Sequence, residues 1–379
     1  MKIEIITTGD EVIQGVIVDT NSAWLAERCA KTGHEVCWHS SVGDDLKDIG
    51  DALLVAAKRA DAVIVSGGLG PTADDITIEA AEGAFGVKFE VGKTLENKVG
   101  TAPGVQIKLG NAEFFFLPGV PKELYQIFAD SIEPWLGKHS DKVAYERVLR
   151  CFGIPEASID EKLKGVDLKG ARLSFRVKFP EVLLKLIMRS QNAADAKSCV
   201  DAAAEEIRKR LGDVVYGEGE ASLSKVVGGM LENKGLTIAI AESCTGGMVS
   251  NGITDVPGSS VYFERGIVCY SNKSKQELLG VPEEILKTHG AVSRETAKSM
   301  AEGVKKMSGA SLGLSITGVA GPGGGTSAKP VGTVFIALAT PAGTEVNEYH
   351  YSRDRLWFKQ VVAATAIDLV RKYLSMLSS

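Results

Sequence analysis

Short apolar runs alternate with helix-length amphipathic stretches through the first 137 residues, and the runs end in loops rich in glycine and acid. Lys2 to Thr8, His34 to Ser40, Asp61 to Ser66 and Glu113 to Leu117 read as strands. Asn21 to Lys31, Asp44 to Arg59, Asp75 to Phe85 and Val120 to Leu136 read as helices between them. That order admits few folds. Short buried strands joined by helices pair in parallel, which gives a largely parallel, doubly wound α/β sheet. Ligands of such sheets sit at the carboxyl ends of strands. Those ends here carry TTGDE, SVGDD, SGGLGPTADD and LPGVP.

Two further units come next. Arg172 to Lys178 and Val182 to Arg189 read as paired strands around a Phe-Pro turn, then a helix from Ala193 to Leu211 and a short strand. This is a small α+β unit without a chemical motif, read as a spacer or dimerisation element. From about Glu220 a third unit opens with a helix, Leu223 to Lys234, and a strand, Leu236 to Ala241. Strands Tyr262 to Tyr270, Ser311 to Thr317, Val331 to Ala339 and Glu345 to Tyr351 complete its sheet, with helices Ser293 to Met307, capped by Ser293, and Arg353 to Met376. The expected domains are 1–168, 169–218 and 219–379.

Composition narrows the function. A net charge of -5 without a long basic run gives no support for nucleic-acid or membrane partners. The middle unit shows no clear GxxG loop for RNA. No apolar run reaches the roughly 20 residues of a membrane span, and the start reads as a strand rather than a secretory leader. The six cysteines form no CxxC pair, the pattern of reduced thiols. The expectation is a cytoplasmic protein acting on a small molecule.

In the first unit, consecutive glycines of SGGLGPTADD turn backbone N–H groups toward an anion at a helix start. Asp74 and Asp75 could hold a divalent cation that bridges phosphates, and the same edge carries Asp10, Glu11, Asp44 and Asp45. The alternative is that these aspartates cap helices.

The third unit holds three pieces of chemistry. Ser243, in ESCTGG, sits at a strand-to-helix turn, where it is a nucleophile with the N–H groups of Thr245 to Gly247 as oxyanion donors, or else a cap. In YSNKSK, Lys275 with a lowered pKa is a general base and Tyr270 relays or orients the proton, or both are ordinary surface and strand residues. A Gly-rich loop in SITGVAGPGGGTSAKPVGTVFIAL suits a phosphate, with Lys329 or Arg355 as balancing charge, or is a slack connection.

TTGDEVIQGVIVDTNSAWLAERCAKTG, SGGLGPTADDITIEA and LPGVPKEL resemble the N-terminal half of the CinA (competence/damage-inducible) family, itself similar to molybdopterin-binding domains. ESCTGG, GIVCYSNKSK, HGAVS, TGVAGPGGGT and KPVGTV resemble, in order and spacing, its C-terminal domain, which also occurs alone as nicotinamide mononucleotide deamidase. The family carries a KH-type unit between them. The resemblance implies that the C-terminal unit hydrolyses the carboxamide of nicotinamide mononucleotide, in pyridine nucleotide recycling. Ser243 is then nucleophile, activated by Tyr270 and Lys275, with Thr245, Gly246, Gly321, Gly324, Thr326 and Arg355 shaping the pocket and no cofactor required. It implies an N-terminal ligand site at Gly67, Gly68, Gly70, Thr72, Asp44, Asp75, Pro118 and Gly119, a divalent metal at Asp75, and a homodimer. The alternatives are a nucleotide-binding regulatory protein and an N-terminal ADP-ribose pyrophosphatase. One departure bears on the last. Only FEVGKTLENKV separates Val87-Lys88 from GTAPG, where the family has a longer stretch that helps close the site.

Overall fold

In the computed structural model, which describes residues 1–377, the first strands fall where the alternation puts them. β1 (Lys2–Thr8), β2 (Glu35–Val42), β3 (Ala62–Ser66), β4 (Lys93–Leu95), β5 (Gly104–Leu109) and β6 (Ala112–Leu117) form one sheet in the order β2-β1-β3-β6-β5-β4. The four strands β2, β1, β3 and β6 are parallel, and β5 and β4 add an antiparallel edge absent from the sequence reading. Period-two alternation divides the side chains between two cores. Ile6, Phe114 and Phe116 pack on one face with Ile49 and Leu53, and Ile5, Phe115 and Leu117 on the other with Leu25 and Leu124. All three phenylalanines are fully buried because β6 is covered on both faces, the mark of a helix-flanked sheet.

β7 (Val143–Cys151), β8 (Arg172–Lys178), β9 (Glu181–Ser190) and β10 (Val215–Glu218) form a second sheet in the order β10-β7-β9-β8, with the helix Ala193–Leu211 between β9 and β10. The domain boundary expected at 168/169 therefore differs from the sheet pairing. β7 lies upstream of it, yet pairs with β9 and β10 through backbone bonds that no motif in its sequence announces. By packing, the chain divides into two units, one of residues 1–146, 169–172 and 187–202, the other of 147–168, 173–186 and 203–379. Among the described residues, no helix is long and apolar enough to cross a membrane.

β11 (Ile238–Glu242), β12 (Phe263–Val268), β13 (Leu312–Gly318), β14 (Thr333–Thr340) and β15 (Gly343–His350) form the third sheet, ordered β12-β11-β13-β14-β15. Its first three strands are parallel, β14 runs against β13, and β15 runs against β14. The carboxyl ends of β11, β12, β13 and β15 consequently share one edge. Ile238 and Ile240 face the core made with helices Leu223–Asn233 and Arg355–Met376, while Ala239 and Ala241 face the core containing Met300 and Val304. Neighbouring strands thus hold β11 on both sides and helices cover both its faces, which fixes Ser243, the residue after its last, at a rigid edge.

Candidate active site

Ser243 comes directly after β11, and the parallel pairing extends one residue past the strand. Its N–H donates to Ile316 O at 2.9 Å, and the N–H of Cys269 donates to Glu242 O at 2.8 Å. Glu242, fully buried, spends its carboxylate on the turn beyond. It accepts from the N–H groups of Gly247 (3.0 Å), Val249 (3.1 Å) and Ser250 (2.8 Å) and from the Ser250 hydroxyl (2.7 Å). Glu242, not Ser243, thus satisfies the start of the helix Met248–Thr254, so the cap alternative for Ser243 is not what this turn uses. Gly246 makes the turn possible with φ of 62°, a left-handed conformation that costs other residues energy.

The Ser243 hydroxyl faces Lys275 instead. Lys275 sits one turn into the helix Asn272–Leu279, whose start is fixed by a reciprocal cap between Ser271 and Ser274. Its side chain is 1% exposed. Its Nζ lies 3.2 Å from Ser243 Oγ, 2.9 Å from Cys269 O and 3.3 Å from Tyr270 O. Burial, with no carboxylate bonded to the amine among the described residues, pushes Lys275 below the ordinary lysine value. A neutral amine fits those partners: two N–H groups for two carbonyls and a lone pair for the Ser243 proton. Cys244 is also buried, and burial pushes its thiol up to about 12, so at neutral pH it carries no thiolate.

Other expected site residues fall around this pair in different ways. Tyr270 contributes its carbonyl to Lys275, whereas its hydroxyl is hydrogen-bonded by the Arg355 guanidinium at 2.8 Å rather than directed to Ser243. Arg355 also donates to Gly321 O at 2.8 Å, which ties the Gly-rich loop to the last helix. Thr245 is fully buried, and its hydroxyl has no partner among the described residues. The three oxyanion donors expected from Thr245 to Gly247 are reduced, because the Gly246 N–H is spent on Ser243 O and that of Gly247 on Glu242. Gly324 and Thr326 are exposed in the loop, and Thr326 closes a turn with Lys329 rather than reaching Ser243. Lys329 Nζ is held by His289 O. Sequence reasoning missed Glu242, the first letter of its own motif, and Lys359, whose Nζ lies 3.5 Å from where a side chain on Gly246 would begin.

In the first unit, a cavity of about 430 Å³ opens at the carboxyl ends of β1 and β3. Gly67, Gly68, Gly70, Asp44, Asp75, Pro118 and Gly119 line it, with Thr101 and Ala102 of the GTAPG segment on its wall. Thr72 does not: its N–H and hydroxyl both donate to Asp75. Burial alone would raise the Asp75 carboxyl, but those bonds and the Gly70 N–H outweigh it and hold it below the usual range. Asp75 thus clamps the loop, and among the described residues no group of three or more His, Cys, Asp or Glu gathers to hold a metal. The side chains present do not fit a metal cage by themselves. Asp45 caps a helix, as the simpler reading allowed, and Asp19, which that reading did not include, caps another, while Asp10 and Asp44 bond each other's N–H at 3.0 Å. Asn21, unremarked in the sequence, lines the cavity with a buried Oδ1 that has no partner among the described residues, its Nδ2 being spent on Ser66 and Gly119.

Comparison with known proteins agrees with these three blocks. Residues 220–374 match the family described as CinA C-terminal domain, residues 4–138 the Probable molybdopterin binding domain, and residues 146–217 the Damage-inducible protein CinA KH domain. A CinA-like protein of Geobacter sulfurreducens is 38% identical over 99% of this chain and 99% of its own length. One from Citrifermentans bemidjiense is 39% identical over 99% and 98%. The crystal structure of competence/damage inducible protein CihA from Agrobacterium tumefaciens is 37% identical, covering 41% of this chain and 94% of that one, with a TM-score of 0.39. The Geobacter alignment runs over 410 positions against the 379 residues here, so at least 31 have no counterpart in this chain. With relatives of this identity matched end to end, the chain belongs to the CinA family.

Proposed function

We propose that the C-terminal unit hydrolyses the carboxamide of nicotinamide mononucleotide to nicotinate mononucleotide and ammonia. The observation that carries this reading is the buried Ser243–Lys275 pair at 3.2 Å, with the amine below its ordinary pKa. Lys275 Nζ takes the Ser243 proton as Oγ bonds to the carboxamide carbon. The C–N bond then breaks, and the proton passes from Lys275 to the departing nitrogen, which leaves as ammonia. Water attacks the Ser243 ester, giving the carboxylate and restoring the hydroxyl. This route uses no metal or cofactor. The Thr245 hydroxyl and the bridged Tyr270–Arg355 pair are the groups left to hold the substrate, Arg355 suiting its phosphate. This places Tyr270 as a positioning residue for Arg355 and, through its carbonyl, for Lys275. The test is to incubate the pure protein with nicotinamide mononucleotide. Equal amounts of nicotinate mononucleotide and ammonia support the reading, and unchanged substrate overturns it.

The N-terminal cavity supports a second, separate reading as a nucleotide-binding site, because a glycine floor and the unpartnered Asn21 acceptor suit a phosphate and a donor-bearing ligand. Slow or absent ADP-ribose hydrolysis is expected there. Titration with ADP-ribose tests binding, and Asn21→Leu weakens it if the acceptor is used.

A further inference from the structure

A second cavity, of about 520 Å³, lies away from Ser243 in the unit that contains the third sheet. One wall is a stripe of the last helix with a residue at each turn, including Trp357, Val361 and Thr365. The other walls are the β8–β9 turn around Phe179, the segment 152–156, and the end of β15 with Tyr349 and Tyr351. Aromatic faces surround it: Tyr349 and Tyr351 stack at 6.0 Å, Phe179 and Trp357 lie 5.1 Å apart, and Tyr351 meets Trp357 edge-on at 6.2 Å.

Its charges are unevenly satisfied. Asp368 on the wall has both oxygens taken, by Arg371 at 2.7 Å and Lys372 at 2.9 Å, and Glu181 is paired with Arg150 at 2.8 Å. Arg353 lies over the Trp357 ring at 5.1 Å and has no carboxylate partner among the described residues. The cavity therefore offers aromatic surface and a guanidinium that no carboxylate neutralises among the described residues, with the Glu156 carboxylate on another wall as an acceptor. Its volume is within the range of small-molecule sites and exceeds the needs of a single ring.

We propose that this cavity binds a nucleoside monophosphate, with the base against the Tyr349–Tyr351 aromatic surface, the phosphate on Arg353 and the ribose hydroxyls donating to Glu156. Arg353 and Trp357 bracket Arg355, which holds Tyr270 and Gly321 at the Ser243 site. Occupancy therefore alters turnover there, a consequence that rests on the deamidase reading, whereas the binding does not.

The test is calorimetric titration of the full-length protein with AMP. AMP binds the native chain, at least tenfold more weakly to Arg353→Glu, and Val361→Trp, which fills the cavity, removes the same binding. Arg353 is exposed, so the first variant reports even if the second misfolds. An isotherm identical in native chain and Arg353→Glu, as when AMP enters only the other sites, overturns the proposal, and so does the lack of any AMP binding. Saturating AMP is also expected to change nicotinamide mononucleotide turnover at least twofold in the native chain and not in Arg353→Glu. Turnover indifferent to AMP overturns the coupling. Absence of all turnover overturns the deamidase reading alone, since the heat is measured without it.

Discussion

Replacing Lys275 with methionine removes the one group within hydrogen-bond reach of the Ser243 hydroxyl among the described residues, and does so in a side chain of similar length. General-base catalysis of this kind contributes about 10²–10⁴-fold. With no second base at Oγ, the expected loss is on the order of 10³-fold, or about 4 kcal/mol of transition-state stabilisation. Stability should move much less. Cys269 O and Tyr270 O lose a donor, at about 1–3 kcal/mol each if nothing replaces it, while a costly buried amine disappears. The pH dependence is set by the direction of the shift. The folded-state pKa lies below the unfolded value of 10.5, so the folded chain binds fewer protons between the two. Stability owed to neutral Lys275 is present above 10.5 and is lost as pH falls through the folded value. The methionine variant therefore gains stability relative to the native chain as pH falls through that window. The native rate should rise with pH along a limb centred below 10.5, which the variant lacks. The assay is nicotinamide mononucleotide turnover across the neutral to alkaline range, with thermal melts of both proteins. A methionine variant within tenfold of native rate, or one that keeps the rising limb, refutes Lys275 as the base.

Ser243→Ala should lose on the order of 10³-fold in rate, while Cys244→Ala stays within about tenfold because a thiol pushed up to about 12 is not the nucleophile; steady-state turnover of both variants checks this. A fragment from Gly219 to Ser379 should still deamidate, but melt below the full chain, since Phe152 and Tyr216 fill the core of the third sheet and Arg371 donates to Asp213 O; calorimetry with turnover decides it. Asp75→Ala should weaken ADP-ribose binding without added metal, because its carboxylate closes the Thr72 turn; equal affinity of variant and native chain in chelator speaks against the clamp.

The strands β3 and β6 were legible because double burial makes them nearly continuous apolar runs, and β1 by its alternating isoleucines; the ends of those strands named the loops that line the first cavity. The edge strands β4 and β5 were not, since Lys93–Leu95 and Gly104–Leu109 pair in a short antiparallel edge and carry a weak pattern. β7 was missed for a related reason: it is held by partners about 30 to 70 residues away, and local periodicity does not report distant pairing. At the site, the motifs gave Ser243 and Lys275, which are 32 residues apart and meet only because β11 and β12 are parallel neighbours. What the motifs could not give is direction. That the Tyr270 hydroxyl turns to Arg355, that Glu242 ties down the turn, and that two glycine N–H groups are already spent are facts of hydrogen-bond geometry.

In the proposed reaction Ser243 Oγ, relieved of its proton by Lys275, bonds to the carboxamide carbon. Rapid acid quench after mixing with nicotinamide mononucleotide, then peptide mass mapping, tests it most directly. An acyl adduct is expected on the peptide containing Ser243, absent from Ser243→Ala, and formed no faster than ammonia is released. An adduct on Cys244, or ammonia release by Ser243→Ala at the native rate, would contradict it.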